Sequence, residues 1–221
     1  MNTNPARLVR QRRENNARIR FLSAEEEGKL REQVQKKLAH HLPELDLAIN
    51  TGLRLSEQYG LTWADVNFDQ KVLTIVRSKH GGTRHVPLND AAVAALLIAR
   101  SLSNGQPAVF LNCYGERLQT PRKWFESCVK DAGLTDFTWH CLRHTFASRL
   151  VMAGVDLRTV QELMGHKTIH MTVRYAHLAP KHQLAAVQRL CDTGNSQNEA
   201  TNTKSSTCTS QGLENISGVI Q

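Results

Sequence analysis

The sequence predicts an α+β fold, a mostly helical domain that carries a small antiparallel three-stranded sheet. Segments with helix caps and helical spacing of apolar residues lie on both sides of a β-branched run at residues 72–76. The 221 residues are 40% hydrophobic. That composition supports one domain of ordinary size with a sizeable core and excludes wholesale disorder.

Helix signals fill the first part of the chain. Ser23 and Glu26 form a capping box that opens a helix through about His40. Pro43 breaks the chain and a second helix follows, which ends near Gly52, where glycine suits a C-cap. A further short helix is expected over residues 53–59.

In the middle of the chain, the residue pattern changes from that of helices to that of β-strands. Alternation in the β-branched run at residues 72–76 predicts a strand. Gly81 and Gly82 predict a turn, and residues 83–88 the return strand. A third short strand is expected around residues 63–68.

Helices return after the sheet. Asn89 caps an apolar helix that runs from Ala91 to about Leu102. Beyond Pro121 the chain is expected to be helical throughout, and Tyr175 to lie inside a helix. The helices are predicted over residues 122–132, 140–153, 156–164, 168–177 and 180–190.

These patterns divide the chain into three parts. Residues 1–20, with six Arg and one Glu, are typical of a basic linker or arm. Residues 21–190 form the predicted domain. Residues 191–221 are rich in Ser, Thr and Asn, and we expect a disordered polar tail there.

Charge and composition narrow the possible functions. The formal net charge of +8 indicates a polyanionic partner, with nucleic acid the first candidate and an acidic membrane surface the second. No apolar run is long enough to span a membrane, and the polar N-terminus lacks the apolar core of a secretory signal, so we expect a cytoplasmic protein. Five cysteines without a C-x-x-C pair do not indicate a disulfide framework or a structural zinc site.

Two groups of polar residues could carry chemistry. His140 and Arg143 are three residues apart at the start of a predicted helix, so their side chains share a face of that helix. Arginine can bind phosphate oxygens, and histidine can exchange a proton near neutral pH. His166 follows a glycine, and Tyr175 comes nine residues later. A tyrosine hydroxyl, whose ordinary pKa is about 10, becomes a useful nucleophile only where nearby arginines favour its anion.

Four segments together resemble the catalytic domain of the tyrosine recombinase, or phage integrase, family. They are T-G-L-R-L-S-E at 51–57, S-K-H-G-G-T-R-H-V-P-L at 78–88, H-C-L-R-H-T-F-A-S-R-L at 140–150 and L-M-G-H-K-T-I-H-M-T-V-R-Y-A-H-L at 163–178. Each segment alone is weak evidence. Their order and spacing over residues 51–178 make the resemblance specific.

The resemblance implies a set of catalytic residues: Arg54, Lys79, His140, Arg143, His166 and Tyr175. Tyr175 would attack a DNA phosphate and form a 3′-phosphotyrosyl bond. Arg54, Arg143 and His166 would bind the phosphate oxygens, and Lys79 would protonate the leaving 5′-oxygen. His140 would assist proton transfer from the tyrosine or support the phosphate.

The resemblance also implies site-specific recombination, that is integration and excision, without a metal ion or ATP as cofactor. The expected partners are double-stranded DNA, further copies of the chain that form a DNA-dependent tetramer in synapsis, and accessory DNA-bending proteins. The cytoplasmic location would then be one associated with DNA. Family integrases carry a separate DNA-binding domain ahead of the catalytic one, so this chain is expected to be a truncated or degenerate integrase, a short variant or a fragment of a longer product.

Several points depart from the family pattern or stay open. Cys141 and His170 stand where other residue types are usual. Glu57 either orients the Arg54 region or is a solvated helix residue. The i, i+4 pairs His140/His144 and His166/His170 also fit a metal-dependent hydrolase. A DNA-binding remnant that does not cut would have the same segments, and a type IB topoisomerase would share the same chemistry.

Overall fold

Helices account for most of the chain that the structure describes. A computed structural model describes residues 19–76, 82–112, 114–118, 120 and 122–180. Its α-helices are Ala24–Leu38 (α1), Leu42–Thr51 (α2), Leu55–Gln58 (α3), Asp90–Leu102 (α4), Arg122–Asp131 (α5), Trp139–Met152 (α6), Leu157–Met164 (α7) and His170–Val173 (α8). Single 3-10 turns lie at Ala39–His41, Trp63–Asp65 and Ala176–Leu178.

The predicted helix ends are confirmed where a cap defines them. The Ser23 hydroxyl accepts from the Glu26 amide and the Glu26 carboxylate accepts from the Ser23 amide, both at 3.1 Å, which is the capping box that opens α1. Gly52 ends α2 with φ of 59°, and the Asn89 side chain caps α4 by accepting from the Ala92 amide at 2.9 Å.

The predicted sheet is also confirmed. Val66–Asn67 (β1), Val72–Val76 (β2) and Thr83–Pro87 (β3) pair antiparallel in the order β1-β2-β3. Leu73 is opposite Val86, and both side chains are buried, so one face of the sheet contributes to the core. The predicted turn at Gly81-Gly82 and the candidate Lys79 involve residues 77–81, which lie outside the described residues.

The core has a larger and a smaller cluster of buried side chains. The larger one joins α2, α4, the sheet and the start of α6, with Leu45, Leu73, Leu96 and Leu142 almost fully buried. Each such leucine contributes roughly 1.5–3 kcal/mol through burial. The smaller cluster joins the end of α6 to α7 and includes Tyr175, so the candidate nucleophile is itself a core residue.

The prediction of a helix over residues 168–177 is wrong. Only His170–Val173 is α-helical, and Tyr175 lies in a turn between α8 and the following 3-10 helix. The Tyr175 amide donates to the Thr172 carbonyl at 2.9 Å, an i to i−3 bond that tightens the chain. This turn lets the Tyr175 ring enter the smaller core cluster.

The described ranges contain no helix that has both the length and the apolar character needed to cross a membrane. The predicted basic arm at residues 1–20, except its last two residues, lies outside the described residues. So do the predicted helix over residues 180–190, except its first residue, and the predicted tail over residues 191–221. The three-part division of the chain therefore stays a prediction.

Candidate active site

A cleft of about 410 Å³ collects most of the residues that the sequence singles out. It is lined by Arg54, His140, Arg143, His144, His166, His170, Met171, Arg174 and Tyr175. The structure thus brings together five of the six predicted catalytic residues. Lys79, the sixth, lies outside the described residues.

Arg143 connects α6 to the ends of two other helices. Its Nη1 donates to the carbonyl of Gly52, which ends α2, and its Nη2 donates to the carbonyl of Met164 in the last turn of α7. Burial lowers the pKa of Arg143 to about 9, and the positive charges of Arg54 and Arg84 act in the same direction. The guanidinium therefore stays cationic at neutral pH although the side chain is 3% exposed.

Arg54 is held by a carboxylate and a second helix end. Its Nη1 donates to Glu57 Oε1 at 2.8 Å, and its Nη2 to the Gly165 carbonyl at 3.1 Å. Glu57 also accepts two bonds from Arg84 on β3, at 2.8 and 2.9 Å. Burial alone would raise the pKa of the Glu57 carboxyl, but the bonds from Arg84 and Arg54 lower it to about 2. Of the two roles left open for Glu57, the bonds to Arg54 and Arg84 therefore support the orienting one.

His166 is oriented by a buried threonine. Its Nδ1 lies 2.8 Å from Thr172 Oγ1, and Thr172 is fully buried on α8. Burial lowers the pKa of His166 to about 4, and the nearby charges of Arg143 and Arg54 act in the same direction. The imidazole is therefore neutral at pH 7.

Tyr175 makes its hydroxyl contact with a residue that the sequence did not mark as catalytic. The hydroxyl is 2.6 Å from His144 Nδ1, and the tyrosine is 1% exposed. Burial raises the pKa of Tyr175, while the charges of Arg174 and Arg143 oppose that rise. His140 stands edge to face against the His144 ring, with centroids 4.7 Å apart.

The cleft has the side chains of an anion-binding site. Three arginines, Arg54, Arg143 and Arg174, line it, and the histidines between them can donate hydrogen bonds. Guanidinium groups match the geometry of phosphate oxygens. A candidate nucleophile, cationic groups and candidate proton donors and acceptors thus meet in one place.

The hypothesis of a metal-dependent hydrolase has no supporting cluster in the part of the chain that the structure describes. Nowhere there do three His, Cys, Asp or Glu side chains come together in an arrangement that could hold a metal ion. The His144 ring of the expected i, i+4 pair is instead bonded to the Tyr175 hydroxyl.

Sequence reasoning missed the supporting residues of the site. His144 entered only as a possible metal ligand, and Arg84, Thr172 and Arg174 were not singled out. His144 and Tyr175 are 31 positions apart, and Arg84 and Glu57 are 27 apart. The available signal was only that each of the four stands inside or next to one of the recognised segments.

Comparison with known proteins gives a family match over most of the described chain. Residues 20–182 match the model of the phage integrase family. A tyrosine recombinase XerC from Roseiflexus castenholzii is 37% identical over 145 residues, which cover 61% of this chain and 46% of that protein. The chain spans about half the length of most of the curated relatives compared.

Solved structures have the same fold. The catalytic domain of bacteriophage HP1 integrase aligns with a TM-score of 0.63 at 29% identity, covering 77% of this chain and 95% of that one. The Tn1549 transposon integrase, in complex with circular intermediate DNA, aligns with a TM-score of 0.66 at 26% identity, covering 78% and 67%. The mostly helical fold with its small sheet is thus the fold of integrase catalytic domains.

Proposed function

Because the chain belongs to the phage integrase family, we propose that it cleaves and rejoins DNA strands in site-specific recombination. Tyr175 would form the covalent 3′-phosphotyrosyl intermediate. The observation that carries the proposal is the placement of Tyr175 in one cleft with Arg54 and Arg143.

The phosphate would be bound by groups that are already in position. Arg54 and Arg143 are each fixed by acceptors on other elements, and His166 is oriented by Thr172. Donors fixed in this way need no reorganisation when charge develops on the phosphate oxygens. Each is typically worth about 2.7–4 kcal/mol of transition-state stabilisation.

The reaction is a balanced exchange of phosphoesters. The Tyr175 oxygen gives its proton to a histidine of the cleft and bonds to phosphorus. The bond from phosphorus to the 5′-oxygen breaks, and Lys79 gives that oxygen its proton. Attack by another 5′-hydroxyl reverses the step and joins new strands. The energy of the phosphoester is kept in the protein–DNA bond, so the step consumes no ATP.

Double-stranded DNA is the proposed substrate. The net charge of +8 favours a polyanion, and the similar Tn1549 integrase is described in complex with DNA. We also propose, from the family resemblance, a tetramer that forms only on DNA, with accessory DNA-bending proteins. Mass measurements of the protein with and without duplex DNA test this assembly: one unchanged mass in both samples would contradict it.

Trapping of the covalent intermediate tests the cleavage activity. A pool of short duplexes with random sequence and one nick lets the released 5′-hydroxyl fragment diffuse away, so that adducts accumulate. We expect a DNA adduct on denaturing gels, and mass spectrometry should place it on Tyr175. Sequencing of the trapped DNA then gives the preferred site.

Two tyrosine variants make the test specific. Tyr175→Phe should form no adduct, whereas Tyr114→Phe, which removes the hydroxyl of a tyrosine that is 84% exposed, should react like the native chain. An equal adduct from Tyr175→Phe would contradict the choice of nucleophile.

The burial of Tyr175 favours a second candidate function, DNA binding without cleavage. In that case the random duplexes would be retained by the native chain without any adduct. Retention should weaken steeply with salt, because each neutralised phosphate releases counterions.

A further inference from the structure

The contact between His144 and the hydroxyl of Tyr175 places a second histidine at the reacting atom. Nδ1 of His144 is 2.6 Å from the phenolic oxygen, and the two ring centroids are 5.9 Å apart. When the imidazole is neutral with its proton on Nε2, Nδ1 accepts and the phenol donates.

We propose that His144 is a further catalytic residue, whose Nδ1 accepts the proton of the Tyr175 hydroxyl as the oxygen attacks the DNA phosphodiester. The inference rests on the proposed function of Tyr175. The proton moves from the phenol to Nδ1, the oxygen–phosphorus bond forms, and the leaving 5′-oxygen takes its proton from a separate donor. In the rejoining step His144 returns the proton to the tyrosine.

The neighbouring groups are less suited to this role. Arg143 and Arg174 are cations and have no lone pair to accept a proton. His166 has its Nδ1 engaged by Thr172. His140 packs edge to face against His144.

The charges around His144 explain how DNA binding would raise its proton affinity. Burial lowers the pKa of His144 to about 4. The cations Arg143 on α6 and Arg174 after α8, together with any proton on His140 or His166, act in the same direction. A DNA phosphate in the cleft brings a negative charge that offsets these cations. Phosphate binding would therefore raise the proton affinity of His144 at the moment of attack.

The backbone of α6 holds the proposed base next to a residue that would bind the phosphate. His144 directly follows Arg143 on α6, and Arg143 is bonded to the carbonyls of Gly52 and Met164. The proposed phosphate-binding residue and the proposed base are thus consecutive residues on α6, which Arg143 connects to the ends of α2 and α7.

Single-turnover cleavage of a nicked duplex from the trapped pool tests the proposal. His144→Ala should cleave about 10²- to 10⁴-fold more slowly than the native chain, the usual contribution of a general base. Added imidazole should restore part of the rate. His40→Ala, at an exposed histidine that does not line the cleft, is the matched control and should cleave like the native chain.

A second substrate distinguishes a general base, which takes the proton of Tyr175, from a general acid, which gives a proton to the leaving 5′-oxygen. With sulfur in place of the bridging 5′-oxygen, the leaving group needs no proton. Lys79→Ala should regain its rate on that substrate, whereas His144→Ala should stay slow. Recovery of His144→Ala on the sulfur substrate would overturn the proposal, because it would place His144 at the leaving group.

The remaining outcomes are also decisive. If His144→Ala cleaves as fast as the native chain while Tyr175→Phe is inactive, His144 is not the base and the proposed function stands. If His144→Gln restores the rate, the residue only positions the tyrosine, and the base role is wrong. An absent adduct from the native chain would instead refute the proposed function itself. Thermal melting and duplex retention of each variant show whether it is folded and binds DNA.

Discussion

Glu57 is the residue on which the alignment of two arginines depends. It bonds Arg54 at the edge of the cleft and Arg84 on the sheet while largely removed from water. Glu57→Gln keeps the shape but removes the negative charge between the two guanidiniums. We expect the free energy of unfolding to fall by about 1.5–3 kcal/mol, the usual worth of hydrogen bonds to charged groups, and adduct formation to slow.

Urea unfolding and adduct trapping measure the two effects. Glu32→Gln removes a carboxylate of a solvent-exposed pair with Lys36 on α1 and is the matched control. Its free energy of unfolding should change by no more than about 1 kcal/mol. Equal losses in the two variants would mean that Glu57 does not organise the site.

At this scale the sequence predicted the residues that a family pattern marks and missed those that support them. Arg54, Arg143 and Tyr175 were found because short segments carry them. The bond from His144 to Tyr175 could not be predicted, because it needs α6 and the turn after α8 to meet in space. Local spacing carries no information on such contacts.

At the scale of elements, α2 and α6 approach closely at a glycine. Gly52 has φ of 59°, and a Cβ there would lie 2.4 Å from Cδ1 of Phe146 on α6. Gly52→Ala should cost about 1–2 kcal/mol for the left-handed backbone, and overpacking adds about 1–3 kcal/mol. Because the Gly52 carbonyl accepts from Arg143, adduct formation should fall as well.

Gly28 provides the control for this change. It lies on the exposed face of α1, and a Cβ there meets nothing within 4 Å. Gly28→Ala should therefore raise the free energy of unfolding by about 0.5–1 kcal/mol. Thermal melting of both variants gives the comparison, and a stabilising Gly52→Ala would contradict the described packing of α2 on α6.

Helices with caps and apolar periodicity could be predicted, and the segment around Tyr175 could not. α1, α2 and α4 begin or end at the caps that the sequence shows. Residues 168–177 have no such cap, and the burial of Tyr175 decides their path. Tertiary packing there overrides local helix propensity.

At the scale of the whole molecule, the fold class followed from the change of period along the chain. The helical segments and the single β-branched hairpin are enough to define a mostly helical α+β domain. The cleft did not follow from them, because it forms where the start of α3, α6, the segment after α7 and α8 with the turn at Tyr175 converge. Its concentration of positive charge is a property of the assembled fold, and it affects how stability depends on pH.

Folding keeps His144 and His166 neutral, so stability should depend on pH. The pKa of each is about 4 in the folded protein, against an ordinary value of 6.5. Between these values the unfolded chain binds protons that the folded chain does not, so the free energy of unfolding should decrease as pH falls from about 6.5 towards 4.

The Glu57 carboxyl, with its pKa lowered to about 2 from 4.5, adds its own loss of stability only below about pH 4.5. Urea midpoints between pH 7 and 4.5 therefore report on the histidines with lowered pKa values, which include His140 and His40. A double variant, His144→Asn with His166→Asn, should show a flatter pH dependence in that interval. An unchanged slope would mean that neither imidazole is kept neutral by the cleft, and that other groups bind the protons.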